Sequence, residues 1–363
     1  MEVELEKSVN NDRVAELNQI LDADEVPFAA LQRSFGHACE VGRIRRFVVQ
    51  FAGFPVQIQI VGNRWAELVG RAIGHLPRPN EGQAIALHID AWDAEEVGVL
   101  PELGLVDLDG PPTVMKSSSD GWFVGEERHH GTLWLDRRGQ HVTGCIASVD
   151  ALTLDARARP FHKLLSAWLF DRGVQFVHAG LVSEADSALL FVGNGGAGKS
   201  TASICCLCSG MGFLGDDFVG ISRVAGGFVG HGFYASCLLG NQHIKRFPEI
   251  APHAYPPNLA DEQKHVAYLQ DGFHRLLEHQ KPIRAIALPR VVDAPESSFE
   301  KASKVQALKA IAPTSVMYLP RPSKEAFETL SELVASVPTY WFNSGCDING
   351  IGGVVRSFLQ NLD

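Results

Sequence analysis

The sequence predicts a mixed α/β chain in two parts: an α+β N-terminal domain over residues 1–155 and a phosphate-loop α/β domain over residues 156–363. Three observations lead there. The stretch Ala188 to Ser200, ALLFVGNGGAGKS, sets an apolar run before the pattern G-x-x-x-x-G-K-S and a small-residue segment after it. That is the strand–loop–helix setting the pattern requires. From Pro160 onward, short apolar strands alternate with helical segments, as in a sheet with helices on its faces. Before residue 150, clean period-two strands accompany helical segments in a smaller unit.

In chain order, the spacing of Val14, Leu17, Ile20 and Leu21 predicts an amphipathic helix near Arg13–Ala23. Arg46 to Val61 reads as two strands about a turn at Gly53. Trp65–Leu76 is helical, with Leu68, Ala72, Ile73 and Leu76 on one face, and Ala84–Asp90 is a strand. Residues 93–129, rich in Gly, Pro, Asp, Glu and Ser, are expected to be loop, including the polar run Glu126-Glu127-Arg128-His129-His130. Gly131–Asp136 and Gln140–Ser148 form a hairpin across Arg137-Arg138-Gly139.

In the second part, Phe161–Arg172 is a helix closed by Gly173, and Val174–Val182 is one strand. Ala188–Val192 feeds the glycine-rich loop and Lys199–Ser209 is the helix after it. Gly212–Gly215 is a strand ending in Asp216-Asp217, followed by strands at Phe218–Ile221, Gly227–Gly232, Lys264–Leu269 and Ile283–Pro289. Helices at Lys304–Ala310 and Lys324–Val337 precede a last strand, Thr339–Phe342.

Composition narrows the function classes. Hydrophobic residues make up 45% of the chain and charged residues 20%, enough apolar material for a sizeable core. A formal net charge of −10 argues against a nucleic-acid surface or an anionic membrane, since both need clustered cations. No apolar run approaches the ~20 residues of a membrane span. The polar start MEVELEKSVNNDR is unlike a secretory signal. Of the seven cysteines, Cys205, Cys206 and Cys208 crowd one helix, and free thiols in a reducing cytoplasm are expected.

The chemistry gathers on the loop Gly193, Asn194, Gly195, Gly196, Ala197, Gly198, Lys199 and Ser200, with Thr201 next. Glycines let successive N–H groups point at a phosphate without Cβ clashes, and the helix N-terminus adds partial positive charge. Lys199 would reach the β- and γ-phosphates of a nucleoside triphosphate, and Ser200 would place its hydroxyl on Mg²⁺. Asp216 and Asp217 follow Lys199 by 17 and 18 residues at a strand end, where such enzymes keep a metal-binding carboxylate. Two adjacent carboxylates can divide the work, one with the metal and one facing the acceptor hydroxyl. The residues alone allow either order. His178 in its apolar strand reads as structural, and Lys264 as an exposed lysine that could meet phosphate charge.

His178-Ala179-Gly180, the loop GNGGAGKS and Leu214-Gly215-Asp216-Asp217 resemble, at matching relative positions, the HPr kinase/phosphorylase family. The phosphate-loop core of that family is similar to phosphoenolpyruvate carboxykinase. The resemblance implies an ATP- and Mg²⁺-dependent phosphotransferase acting on a serine hydroxyl. It makes Asp216 the acid/base, His178 the residue that supports it, and Ser200 and Asp217 the Mg²⁺ site. Two departures separate the chain from true HPr kinases. Thr201 stands where they carry an acidic residue, and no P-x-R-P-G-R-N-type segment occurs between Leu288 and Asp363. The GKST of Gly198–Thr201, the preceding Arg172-Gly173, strand and His178-Ala179, and the closing VPTYWF of Val337–Phe342 resemble divergent relatives, including the serine kinases that tailor lasso-peptide precursors. The expected partner is a peptide or small protein carrying a serine, with a ribosomal peptide precursor as one candidate and homo-oligomerisation left open. Residues 1–155 would supply substrate recognition. A small-molecule hydroxyl kinase and a nucleotide-binding regulatory module with vestigial catalysis are the alternatives.

Overall fold

A computed structural model describes residues 20–22, 25–102, 104, 113–128, 130–259, 263–317 and 323–362. Mixed α/β architecture is found throughout, in three sheets.

The first sheet has eight strands: β1 (Ile20–Asp22), β2 (Ile44–Phe51), β3 (Phe54–Val61), β4 (Leu87–Asp93), β5 (Thr113–Ser117), β6 (Phe123–Arg128), β7 (Gly131–Asp136) and β8 (His141–Ile146). Their order is β1-β5-β6-β7-β8-β4-β3-β2. The hairpin of β2 and β3 closes on Phe51 and Phe54 across Ala52-Gly53, both left-handed, at the turn the sequence predicts. The helix Asn63–Ile73 buries Trp65, Leu68, Val69 and Ala72 against this sheet, the face its spacing indicates.

The second sheet contains β9 (Val174–Val177), β10 (Ala179–Glu184), β11 (Ser187–Val192), β12 (Gly212–Gly215), β13 (Val219–Val224), β14 (Gly227–His231) and the long β18 (Gln280–Val291). They run β12-β10-β11-β18-β14-β13-β9, and β20 (Thr339–Ser344) joins β18 in parallel with β19 (Ser298–Lys301) beyond it. A third sheet pairs β15 (Ser236–Gly240), β17 (Lys264–Tyr268) and β16 (Ala254–Tyr255).

Several expectations are corrected. Most of the helix near Arg13–Ala23 falls outside the described residues, and where description begins Ile20–Asp22 is a strand, parallel to β5. The sequence reading misses a helix at Phe28–Val41, whose Phe28, Leu31 and Ala38 are buried at helical spacing. Gly36 in its middle and Pro27, which offers no capping side chain, hide it. The region 93–129 is not all loop: it contains β5 and β6, and β6 is buried despite the sequence FVGEER. Its charges are paired rather than solvated, Glu126 with Arg128 and Glu127 with Lys116 at 2.7 Å. His129 lies outside the described residues. A final helix, Ile351–Gln360, follows the last strand. The predicted single strand Val174–Val182 is two, broken at His178, and that break builds the site described below.

One apolar core crosses from the first sheet to the second half. Val49, Phe51, Ile58 and Leu135 share it with Leu154, Phe161, Leu164, Leu165, Trp168, Phe176 and Phe233. Trp168 and Leu164 are 0% exposed, and each such side chain contributes about 1.5–3 kcal/mol by burial. A fragment from Asp155 to Asp363 is therefore expected to melt well below the full chain or to aggregate. Differential scanning fluorimetry of the two checks this; equal thermal midpoints would show that the shared core contributes little.

Candidate active site

The glycine-rich loop joins β11, whose Ala188–Val192 are 0% exposed, to the helix Lys199–Cys208. Gly198 is the residue before that helix and has φ 101°, a backbone state open to glycine at little cost. Asn194, Gly195 and Gly196 are exposed. Lys199 is only 5% exposed, and its Nζ donates to the Gly193 carbonyl at 2.8 Å and the Asn194 carbonyl at 3.2 Å. The ammonium is thus folded back under the loop's first turn. Burial lowers its pKa, opposed by Asp217 and Asp216.

On the neighbouring strand, Gly180 lets β10 lie against the loop's helix, since a Cβ there would come within 2.2 Å of Ser203 Oγ. Just before it the strand breaks. β9 pairs with β13 while β10 pairs with β11 and β12, so His178 sits between the two pairings. Its N–H turns out of the ladder to the Ser315 hydroxyl at 3.1 Å, and the next N–H, of Ala179, donates to the Asp217 carbonyl at 3.2 Å. This backbone bond fixes His178 beside the double aspartate.

Asp216 and Asp217 lie in the break between β12 and β13, which run one after the other antiparallel to β10 and β9, and Asp217 adopts φ 66°, unusual for a residue with a side chain. The two carboxylates face opposite environments. Asp217 Oδ1 lies 3.4 Å from His178 Nε2, and Oδ2 accepts from Arg159 Nη1 at 3.0 Å. Although burial pushes its pKa up, the His178 and Arg159 interactions outweigh this and hold Asp217 well below the usual carboxylate range. Asp216 is 3% exposed, and both its oxygens are buried without a hydrogen-bond partner in good geometry. Burial and the Asp217 charge push it up to about 7, while nearby Ser200 and Lys199 pull the other way.

The structure thus brings Lys199, Ser200, Asp216, Asp217 and His178 together. It places His178 on Asp217 rather than on Asp216. The Thr201 hydroxyl is turned to His243 Nε2 at 3.1 Å, on the helix Asn241–Arg246, which the sequence reading does not predict. Lys264 is exposed at the start of β17, yet its charge is felt at Lys199, Asp217 and His243, so it rims the same site. Arg159 is missed altogether by sequence reasoning. It is one of three arginines in Arg157–Arg172 spaced without pattern, and only the fold shows that it reaches Asp217.

Among the described residues, no group of three or more His, Cys, Asp or Glu side chains forms a metal cage. Mg²⁺ at nucleotide sites needs less than a cage, taking one or two carboxylates together with phosphate oxygens and water. Two buried carboxylate oxygens without partners, beside a hydroxyl, fit that requirement at Asp216 and Ser200. They fit it less well at Asp217, whose oxygens are both engaged.

The unpaired charge has a stability cost that can be measured. Asp216 binds its proton more tightly folded than unfolded, so the native state loses stability as pH rises from the ordinary carboxylate range through about 7. Asp216→Asn is therefore expected to raise the melting temperature by a few degrees at pH 8, where the buried charge is removed, and by clearly less at pH 5, where only part of the loss has set in. Equal shifts at both pH values, or none, would contradict the buried-charge assignment.

No family model matches this chain, and no curated protein matches it. Among solved structures it is similar to the Hpr(Ser) kinase/phosphatase from Coxiella burnetii. The two are 13% identical, over 52% of this chain and 89% of that one, with a TM-score of 0.29. The relationship is distant at most. Among the described residues no helix is long and apolar enough to cross a membrane.

Proposed function

We propose that this chain is a phosphotransferase that moves the γ-phosphate of ATP to a serine hydroxyl on a peptide or small protein. The observation that carries the reading is one convergence. A glycine-rich loop with a buried lysine meets a pair of carboxylates in unlike environments, one unpaired beside Ser200 and the other held by His178.

In the proposed reaction the loop N–H groups and Lys199 bind the β- and γ-phosphates. The acceptor oxygen forms a bond to the γ-phosphorus as the bond from that phosphorus to the β–γ bridging oxygen breaks. ADP leaves with the electron pair of that bond. The hydroxyl proton passes to Asp217 and on to solvent. A strongly acidic carboxylate is adequate there, because phosphoryl transfer has a loose transition state in which orienting the nucleophile matters more than removing its proton early. Ser200 and Asp216 would hold Mg²⁺, which when bound neutralises charge on the phosphate oxygens. This order of the two aspartates is opposite to the one the resemblance implies. It is preferred because Asp217 is already committed to His178 and Arg159. The raised pKa of Asp216 is no argument for a base, since a cation at that carboxylate would bring it down again.

The first sheet is proposed to supply acceptor recognition. All seven cysteines are free, which supports a reducing, cytoplasmic setting. Incubation with γ-labelled ATP and cell-extract fractions separated by molecular mass tests the reading. Label in a peptide or small-protein fraction supports it. Label in a low-mass fraction favours a small-molecule hydroxyl kinase, and tight ATP binding with no transfer favours a regulatory module.

A further inference from the structure

Arg159 lies just past the short helix Leu154–Ala158, with its side chain 7% exposed. Its Nη1 donates to Asp217 Oδ2 at 3.0 Å, and its Nε donates to Asp155 Oδ1 at 3.1 Å, with Nη2 also on Asp155. The guanidinium carbon is 4.7 Å from the centre of the Phe218 ring, and Phe218 stacks in turn on His178 at 5.7 Å. Arginine, Asp217, His178 and phenylalanine therefore form a closed ring of contacts around one carboxylate.

We infer that Arg159 is a positioning residue of the site, its fork anchored at Asp155 and packed on Phe218 so that it fixes the Asp217 carboxylate with Oδ1 turned to His178. The inference rests on the reading of Asp217 as the carboxylate that meets the acceptor. Three physical points support it. Asp217 has a left-handed backbone, so its side chain starts from a sparsely populated conformation and needs outside contacts to define it. A guanidinium offers donors in a rigid plane, so one residue can grip two carboxylates at fixed angles; a lysine ammonium is a single point charge and cannot. The anchor is itself held, because Asp155 Oδ2 also lies 3.6 Å from His162 Nδ1. Close by, Lys163 of the same helix as His162 reaches Glu126 of β6 at 3.9 Å. The helix that braces Asp155 through His162 is thus also held to the first sheet, through the buried Lys163 and Glu126.

A purely structural ion pair would stabilise the fold and lower binding and turnover together. A positioning residue separates them. The test uses the full chain with Mg-ATP as probe, and with water and serine-containing peptide fractions as acceptors. Affinity is read by calorimetry and transfer by release of labelled γ-phosphate or its appearance in peptide. Arg159→Lys is expected to keep its Mg-ATP dissociation constant within about 3-fold of the parent, while turnover falls about 10–100-fold, the scale of an ångström-level misplacement. Asp155→Asn, which loosens the anchor but leaves Arg159 on Asp217, is expected to cost about 3–10-fold in turnover with affinity unchanged. The double variant should be no worse than Arg159→Lys alone, since Asp155 acts through the arginine. If Arg159→Lys does not fold, Asp155→Asn carries the test. Turnover equal to the parent in these variants, or affinity falling in step with turnover, overturns the inference. A parent chain that neither binds Mg-ATP nor transfers its phosphate removes the phosphotransferase reading itself, and this inference with it.

Discussion

Lys199→Ala is expected to bind Mg-ATP at least about 100-fold more weakly than the parent chain, a loss of about 3 kcal/mol, and to show no measurable phosphate transfer. Among the described residues, its Nζ is the side-chain cation placed inside the loop, where it donates to the carbonyls of Gly193 and Asn194. In the bound state those bonds would be exchanged for phosphate oxygens, which are charged acceptors and so stronger partners. The remaining loop donors are backbone dipoles, which cannot replace a full charge. The fold should survive the substitution. Among the described residues, Lys199 makes its hydrogen bonds within the loop, and burial already disfavours its charged form. The melting temperature of Lys199→Ala should therefore match or exceed that of the parent. Lost affinity accompanied by a lower melting temperature would point to misfolding instead, and unchanged affinity would remove the loop from nucleotide binding.

Asp216→Asn and Asp217→Asn are expected to fail in different ways. Neutralising Asp216 takes away the unpaired carboxylate beside Ser200, so Mg-ATP binding should weaken and excess Mg²⁺ should restore part of the activity. Neutralising Asp217 leaves that pair intact. Asp217→Asn should bind Mg-ATP nearly normally and lose about 10²–10⁴-fold in turnover, the usual span when a residue handling the transferred proton is removed. His178→Ala should resemble Asp217→Asn with a smaller loss, because His178 contacts that carboxylate. Nucleotide affinity, Mg²⁺ dependence and turnover of the three variants decide the order. If Asp217→Asn is the variant that excess Mg²⁺ rescues, the order implied by the family resemblance holds and the contacts of Asp217 in the unliganded chain do not report its role.

The parts of the site that share a short stretch of chain are legible in the sequence. The loop, its strand and its helix span Ser187–Cys208 without interruption, so the glycines, Lys199 and Ser200 declare themselves through local pattern. Asp216 and Asp217 are also legible, being at the end of an apolar strand. What the sequence hides depends on partners far along the chain. VQFVHAGLV has the pattern of one strand because apolar alternation cannot show that its two halves pair with different neighbours. The deciding contact, His178 N–H to Ser315, spans 137 residues. Arg159 and Asp217 are 58 residues apart, and nothing local marks that arginine among the others. Strand β6 reads as a polar loop because period and polarity carry no information about charge pairing. Glu126, Arg128 and Lys163 can be buried together only because each neutralises another. The helix Phe28–Val41 shows the same limit, its apolar face gaining definition only against Trp92 and Val61.

The most direct test of nucleotide binding at the loop is a calorimetric titration of Mg-ATP into the full chain, repeated without Mg²⁺ and with Lys199→Ala. The proposed function predicts saturable binding at one site, weakened when Mg²⁺ is withheld and lost in the variant. Absence of binding at millimolar Mg-ATP, or equal binding by the parent and by Lys199→Ala, would contradict it.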